Sequence, residues 1–188
     1  MKHIVIFASG SGSNAQRIIE YFNGHKEVTI SLVLSNKPDA FVLDRAKTLG
    51  VESVVFTRHE FYETDHVLSI LQNSSIDFII LAGFLWLIPP NLLQAYSGKI
   101  INIHPALLPK YGGKGMYGMK VHEAVIAAGE KESGITIHYV NEKYDEGQII
   151  FQAKCSIEPG DTPEILAGSI HELEYRYFPE VIENAVLN

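Results

Sequence analysis

The sequence holds a single cysteine, Cys155, among 188 residues. That scarcity excludes a disulfide framework and any cysteine-only metal cluster, and it fits a reducing compartment. Long hydrophobic runs are missing too. The longest uninterrupted apolar stretch, Phe78 to Ile88, falls short of the ~18 residues a membrane span needs. At the amino terminus, Ile4 to Ala8 is too brief an apolar segment for a secretory signal and carries no small-residue cleavage site. A cytoplasmic protein with no membrane partner is the expectation. Positive charge is also in short supply: 15 basic side chains face 22 acidic ones, for a net charge of −7. That balance works against a chain whose task is to hold DNA or tRNA, because phosphate neutralisation needs clustered Lys and Arg. Lys110 and Lys114 come nearest to a basic pair.

What is present is ample core material. With 46% hydrophobic and 20% charged residues, the chain is neither disordered nor fibrous. No repeat, low-complexity tract or linker interrupts it, so one domain over residues 1–188 is expected. Short β-branched runs at Lys2–Ala8, Val28–Leu34, Ser53–Phe56, Asp77–Ala82 and Lys99–Ile103 alternate with helical periodicity at Asn14–Asn23, Ala40–Leu49, Phe61–Leu71 and Asn91–Tyr96. Strands that are continuously apolar and separated by helices predict a mostly parallel α/β sheet covered on both faces. The second half reads differently. A helix at Val121–Ala128 precedes strands at Gly134–Val140 and Gln148–Ile157, joined by turn chemistry at Lys143–Gly147, so antiparallel strands should flank the parallel core. Asp161-Thr162-Pro163-Glu164 opens a last helix, with Asp161 as cap and Glu164 at the third position, running to about Leu187 with a bend at Pro179.

Three places carry possible chemistry. Directly after the first strand, Gly10-Ser11-Gly12-Ser13-Asn14-Ala15 satisfies a G-x-G-x-x-G/A pattern in which backbone amides and a helix N-terminus hold a phosphate. A dinucleotide would also need an acid at the end of the second strand, where this chain has Leu34-Ser35-Asn36. A phosphomonoester pocket with Ser13 and Asn14 as added donors remains, beside the plainer reading of a tight turn in which Ser or Asn caps the helix. The second place is Asn102-Ile103-His104-Pro105. Residues two apart in a strand share a face, so Asn102 and His104 project together at the carboxyl end of a buried strand, where open α/β sheets bind ligands. Asn can donate to a developing oxyanion, and His titrates near neutral pH; a hydrogen-bonded core His beside a turn-capping Asn is the plainer alternative. The third place is the hairpin Val140–Gly147, with His138 on the strand before it. Asp145 there is either a solvated turn residue or, if it lies beside His104, a carboxylate that raises the His pKa.

Other features carry less. Cys155 alternates with apolar neighbours and reads as core. His104, His122 and His138 lack metal-ligand spacing, so no metal is expected. Trp86, in Gly83-Phe84-Leu85-Trp86-Leu87-Ile88-Pro89, reads as core or as the wall of a planar-ligand site.

Taken together, Gly12-Ser13-Asn14, Leu81-Ala82-Gly83-Phe84, Asn102-Ile103-His104-Pro105-Ala106-Leu107-Leu108-Pro109-Lys110-Tyr111 and Asp145-x-Gly147, in this order, closely resemble the folate-dependent formyl transferases, and the Gly-Ser-Asn loop resembles that of the phosphoribosylglycinamide members. The resemblance implies a Rossmann-like formyltransferase fold with a phosphate-binding half at 1–100 and a catalytic, folate-binding half at 101–188. It implies formyl transfer from 10-formyltetrahydrofolate to glycinamide ribonucleotide in purine biosynthesis, by a monomer or homodimer. Asn102, His104 and Asp145 then match the catalytic trio, with His104 and Asn102 on the oxyanion and Asp145 raising the His104 pKa. Gly12, Ser13 and Asn14 match the substrate-phosphate loop, and Glu174 matches a ribose-contacting acid. Leu85, Trp86, Leu87, Ile88, Asn102 and Val140 fall where the family holds the folate. A formylfolate hydrolase would use the same trio on water, a tRNA formyltransferase would need a basic further domain, and a nucleotide-binding regulatory module would leave Asn102 and His104 without a task. The chain length is expected to leave no room for a tRNA-binding or regulatory appendage.

Overall fold

The fold is seen in a computed structural model that describes residues 1–188. Seven strands form one sheet: β1 (Lys2–Phe7), β2 (Val28–Ser35), β3 (Glu52–Val55), β4 (Phe78–Leu81), β5 (Ile100–His104), β6 (Glu132–Tyr139) and β7 (Ile149–Ser156). Their order is β3-β2-β1-β4-β5-β6-β7. The first five pair in parallel, whereas β5–β6 and β6–β7 are antiparallel, as the change of pattern midway along the sequence predicts. The helices are α1 (Ser13–Tyr21), α2 (Val42–Thr48), α3 (Arg58–Tyr62), α4 (His66–Asn73), α5 (Pro90–Ala95), α6 (Met119–Ala127) and α7 (Pro163–Leu187).

Strand β1 shows why its run is apolar without alternation. Ile4 and Ile6 join a 28-residue core under α1, α6 and α7, while Val5 and Phe7 point the opposite way into a 16-residue core with residues of α3, α4 and α5. Both faces of the strand are therefore dry, and every position favours an apolar side chain. Strand order reverses between the parallel neighbours β1 and β4, which leaves a crevice at their carboxyl ends, the usual ligand position in such sheets. Residues 8–13 and 82–88 border that crevice.

The structure corrects three local expectations. The predicted helix Phe61–Leu71 is two short helices, α3 and α4. Thr57 and Glu60 form a reciprocal capping box that starts α3 early. Thr64 Oγ1 then donates to the Glu60 carbonyl at 3.1 Å and accepts from the His66 amide at 3.2 Å, drawing backbone groups away from a continuous ladder. The last helix is capped by Thr162, whose hydroxyl accepts from the Ile165 amide, while Asp161 is occupied with the Glu158 amide at 2.9 Å. Pro179, where the sequence predicts a bend, lies inside this helix. At α1 the cap is Gly12 in a left-handed conformation (φ 75°), with no side-chain cap bond, so neither Ser13 nor Asn14 serves as the helix cap.

Candidate active site

Each functional segment reaches the crevice for a local reason. Gly12 must be glycine, because a Cβ there would lie 2.4 Å from Cγ2 of Val42, and its positive φ disfavours any L side chain. The first intrahelical bond of α1 runs from the Gln16 amide to the Gly12 carbonyl at 2.8 Å. The amides of Ser13, Asn14 and Ala15 before it are free donors at the positive end of the helix. Asn14 is tied across the cavity: its Nδ2 donates to Oε2 of Glu174 on α7 at 2.9 Å. Glu174 is 6% exposed, and burial pushes its carboxyl up to about 7.

Register explains the second cluster. In the antiparallel pairing of β5 with β6, Asn102 stands opposite His138 and His104 opposite Thr136. Asn102 Nδ2 donates to Nε2 of His138 at 3.0 Å, and Nδ1 of His138 donates to the Tyr139 carbonyl at 2.9 Å. The carbonyl accepts only, so His138 carries its proton on Nδ1 and offers Nε2 as acceptor. Thr136 fixes the loop after β5, with its hydroxyl donating to the Ala106 carbonyl at 2.7 Å and accepting from the Leu108 amide at 3.0 Å.

Asp145 comes back over this pair from the β6–β7 connection. Its φ of 56° is a strained value for a non-glycine residue, and its Oδ2 accepts from the Gly113 amide at 2.9 Å. Oδ2 lies 3.5 Å from Nδ1 of His104, and Oδ1 lies 3.6 Å from Nε2 of His138 and 3.5 Å from Nδ2 of Asn102. The expected proximity of Asp145 to His104 is present. Burial of the ring, which is 4% exposed, lowers the His104 pKa by more than Asp145 raises it, so the carboxylate acts in the expected direction but the net shift is downward. Burial pushes the Asp145 carboxyl up, but the His138 and His104 rings, when protonated, and the Gly113 amide hold it below the usual value, so it remains ionised.

A single cavity of about 650 Å³ is lined by Gly12, Ser13, Asn14 and Glu174, by Asn102, His104 and Asp145, and by Leu85–Ile88 and Val140. Every residue that the resemblance assigns to the site thus faces one space. Trp86 settles between its two readings, because it lines the cavity while its ring packs on Phe56, Phe61, Tyr62 and Phe84. The amides of Trp86, Leu87 and Ile88 make no hydrogen bond within the protein, whereas the Leu85 amide goes to Ser9 Oγ at 3.1 Å. Sequence reasoning missed the glycine-rich segment 113–118, which also lines the cavity, and the part His138 plays. Four glycines between residues 112 and 118 were the available signal for the first. For the second it was the two-residue spacing of Thr136 and His138. Lys37 and Lys114 stand exposed on the cavity wall and give it local positive charge in an acidic chain, while Lys143, also exposed there, pairs with Glu146 at 3.1 Å.

A phosphate-sized donor loop, a buried His-Asp-Asn cluster and an apolar wall in one crevice of a Rossmann-like sheet describe a group-transfer enzyme with two substrates. The formyl transferase family model matches residues 2–182, and the chain belongs to that family. Within it, the chain is 40% identical over 188 residues to the phosphoribosylglycinamide formyltransferase of Haemophilus influenzae, covering 97% of this chain and 86% of that protein. It is also 40% identical over 187 residues to the chloroplastic phosphoribosylglycinamide formyltransferase of Arabidopsis thaliana, where it covers 96% of this chain and spans 64% of the relative. The crystal structure of the phosphoribosylglycinamide formyltransferase from Streptococcus pneumoniae TIGR4 superimposes with a TM-score of 0.86 at 40% identity, covering 98% of each chain. No helix is long and apolar enough to cross a membrane.

Proposed function

We propose that the protein transfers the formyl group of 10-formyltetrahydrofolate to the amine of N1-(5-phosphoribosyl)glycinamide, releasing the formylated ribonucleotide and tetrahydrofolate, a step of purine biosynthesis. One observation carries this reading: the helix N-terminal loop, the Asn102/His104/Asp145 cluster and the apolar 85–88 wall share one cavity. A phosphate seated on the amides at 12–15 would leave the rest of the nucleotide to run past Glu174 toward His104. The opposite wall fits a flat pteridine, with Leu85, Ile88 and Val140 as apolar surface and three unbonded amides, at Trp86, Leu87 and Ile88, for its polar edge.

The donor supplies an activated formyl carbon; the protein supplies position and proton control. Aligning two reactants at attack distance removes ~7–11 kcal/mol of barrier by itself. At neutral pH His104 is uncharged, with Nε2–H donated to the Tyr111 carbonyl at 2.8 Å. Its Nδ1 lone pair is therefore free to take the proton that the amine sheds as its nitrogen bonds to the formyl carbon. The imidazolium so formed satisfies both nitrogens, Nε2 on Tyr111 and Nδ1 on Asp145, and its charge stabilises the oxyanion. Asn102 has one Nδ2 hydrogen committed to His138 and only a long 3.5 Å contact with Asp145 for the other. That second hydrogen is available to the oxyanion. When the bond from the formyl carbon to N10 breaks, the proton passes from His104 to the departing nitrogen, so the balance needs no covalent enzyme species. Incubation with phosphoribosylglycinamide and formyl-labelled 10-formyltetrahydrofolate tests the reading. Label in the ribonucleotide, by mass spectrometry, is the expected result, and label only in formate would overturn it.

A further inference from the structure

His122 on α6 is the most buried titratable group to which the proposed chemistry gives no task. It is 3% exposed and lines the cavity, yet its Nδ1 is sealed without a partner. Its Nε2 makes no hydrogen bond within the protein either and is not among the sealed atoms. Natively buried polar side chains almost always have partners, so a ring with neither nitrogen bonded, set in a cavity wall, is shaped for a group that arrives from outside. Two neighbours place it. Burial first, and then His171 on α7 and His104 on β5 when protonated, push its pKa down to about 4. His171 stands one helical turn before Glu174 and also lines the cavity. His122 therefore sits between the reacting end and the Glu174 helix, on the acceptor side.

We propose that His122 is a binding residue for the acceptor nucleotide, hydrogen-bonding through Nε2 to an uncharged oxygen of its ribose or glycinamide portion. The assignment rests on the nucleotide reading of the cavity given above. A sealed ring nitrogen is less costly as a lone pair than as an orphaned N–H, which places the proton on Nε2 and makes the ring a donor. A neutral donor suits an uncharged oxygen. The phosphate has the separate helix N-terminus.

This role makes a prediction opposite to that of a structural histidine. Replacing an unpartnered buried polar ring by an apolar side chain of similar volume is neutral or stabilising for the free protein, whereas removing a ligand hydrogen bond weakens binding ~10-fold. In calorimetric titration with phosphoribosylglycinamide, His122→Leu is expected to raise Kd ~10-fold while melting at or above the wild-type temperature. His122→Gln, whose amide nitrogen reaches about the position of Nε2, should bind more tightly than His122→Leu. Unchanged affinity in His122→Leu, a lowered melting temperature, or a Gln variant no better than Leu overturns the assignment. Should the wild type itself fail to bind the nucleotide, the nucleotide reading falls and this inference with it; a wild type that binds beside a His122→Leu variant that binds equally well removes only the role of His122.

Discussion

Nδ1 of His104 stands 3.5 Å from Oδ2 of Asp145, while Nε2 of the same ring donates to the Tyr111 carbonyl at 2.8 Å. A carbonyl on one side and a carboxylate on the other can both be satisfied only by an imidazolium, yet burial keeps the resting ring neutral. The site is thus built for a charge that appears during the reaction, the arrangement that favours a transition state over the free enzyme.

Removing either partner should act on turnover and spare nucleotide binding. His104→Ala or Asp145→Asn is expected to lower kcat ~100-fold or more, the scale of a positioned acid-base group. Steady-state kinetics beside calorimetric titration of the nucleotide checks this, and near-wild-type turnover in both variants would refute the roles.

The same pair sets a pH dependence. Protonation of His104 removes its Nδ1 lone pair, so activity should fall on the acid side as pH drops through its lowered pKa. In Asp145→Asn the carboxylate that favours the protonated ring is gone, and the pKa falls further. The acid limb of the residual activity is therefore expected at lower pH than in the wild type; an upward shift, read from kcat against pH, would contradict the assignment.

Glu174 makes a stability prediction of opposite sign to the usual carboxylate. Its folded pKa of about 7 lies above the ordinary 4.5, so between those values the unfolded chain releases a proton that the native state keeps. Native stability is then lost as pH rises through that window, by at most about 3 kcal/mol. Glu174→Gln, which still offers Asn14 an acceptor, should melt higher than the wild type at pH 8 and no higher at pH 4. Melting curves at the two pH values test it.

The phosphate loop should respond to both its backbone and its side chain. Gly12→Ala forces a Cβ against Val42 and a positive φ, with a strain of ~1–3 kcal/mol. It is expected to lower the melting temperature and weaken nucleotide binding. Asn14→Ala leaves the backbone intact and should mainly weaken nucleotide affinity; calorimetry showing unchanged affinity would remove that role.

Most of the sheet was legible because burial on both faces writes itself into strands such as β1 and β4 as unbroken apolar runs. The two ends of the site were legible for the same reason: polar Asn102 and His104 stand out in an apolar strand, and Gly12 in a turn that tolerates no Cβ. What the sequence hid is decided by pairing and burial. The register that sets His138 beside Asn102 depends on where an antiparallel strand docks, 36 residues away along the chain. The lowered pKa of His104 depends on how much solvent the fold removes, which a motif does not state. The break between α3 and α4 rests on Thr64 competing for backbone groups, an effect that helical periodicity alone does not register.

The central claim is tested most directly by mixing the protein with 10-formyltetrahydrofolate, with and without phosphoribosylglycinamide, and following folate deformylation spectroscopically. Deformylation that requires the ribonucleotide and yields its formylated form is the expected result. Deformylation at the same rate without it would mean that water is the acceptor and would contradict the account.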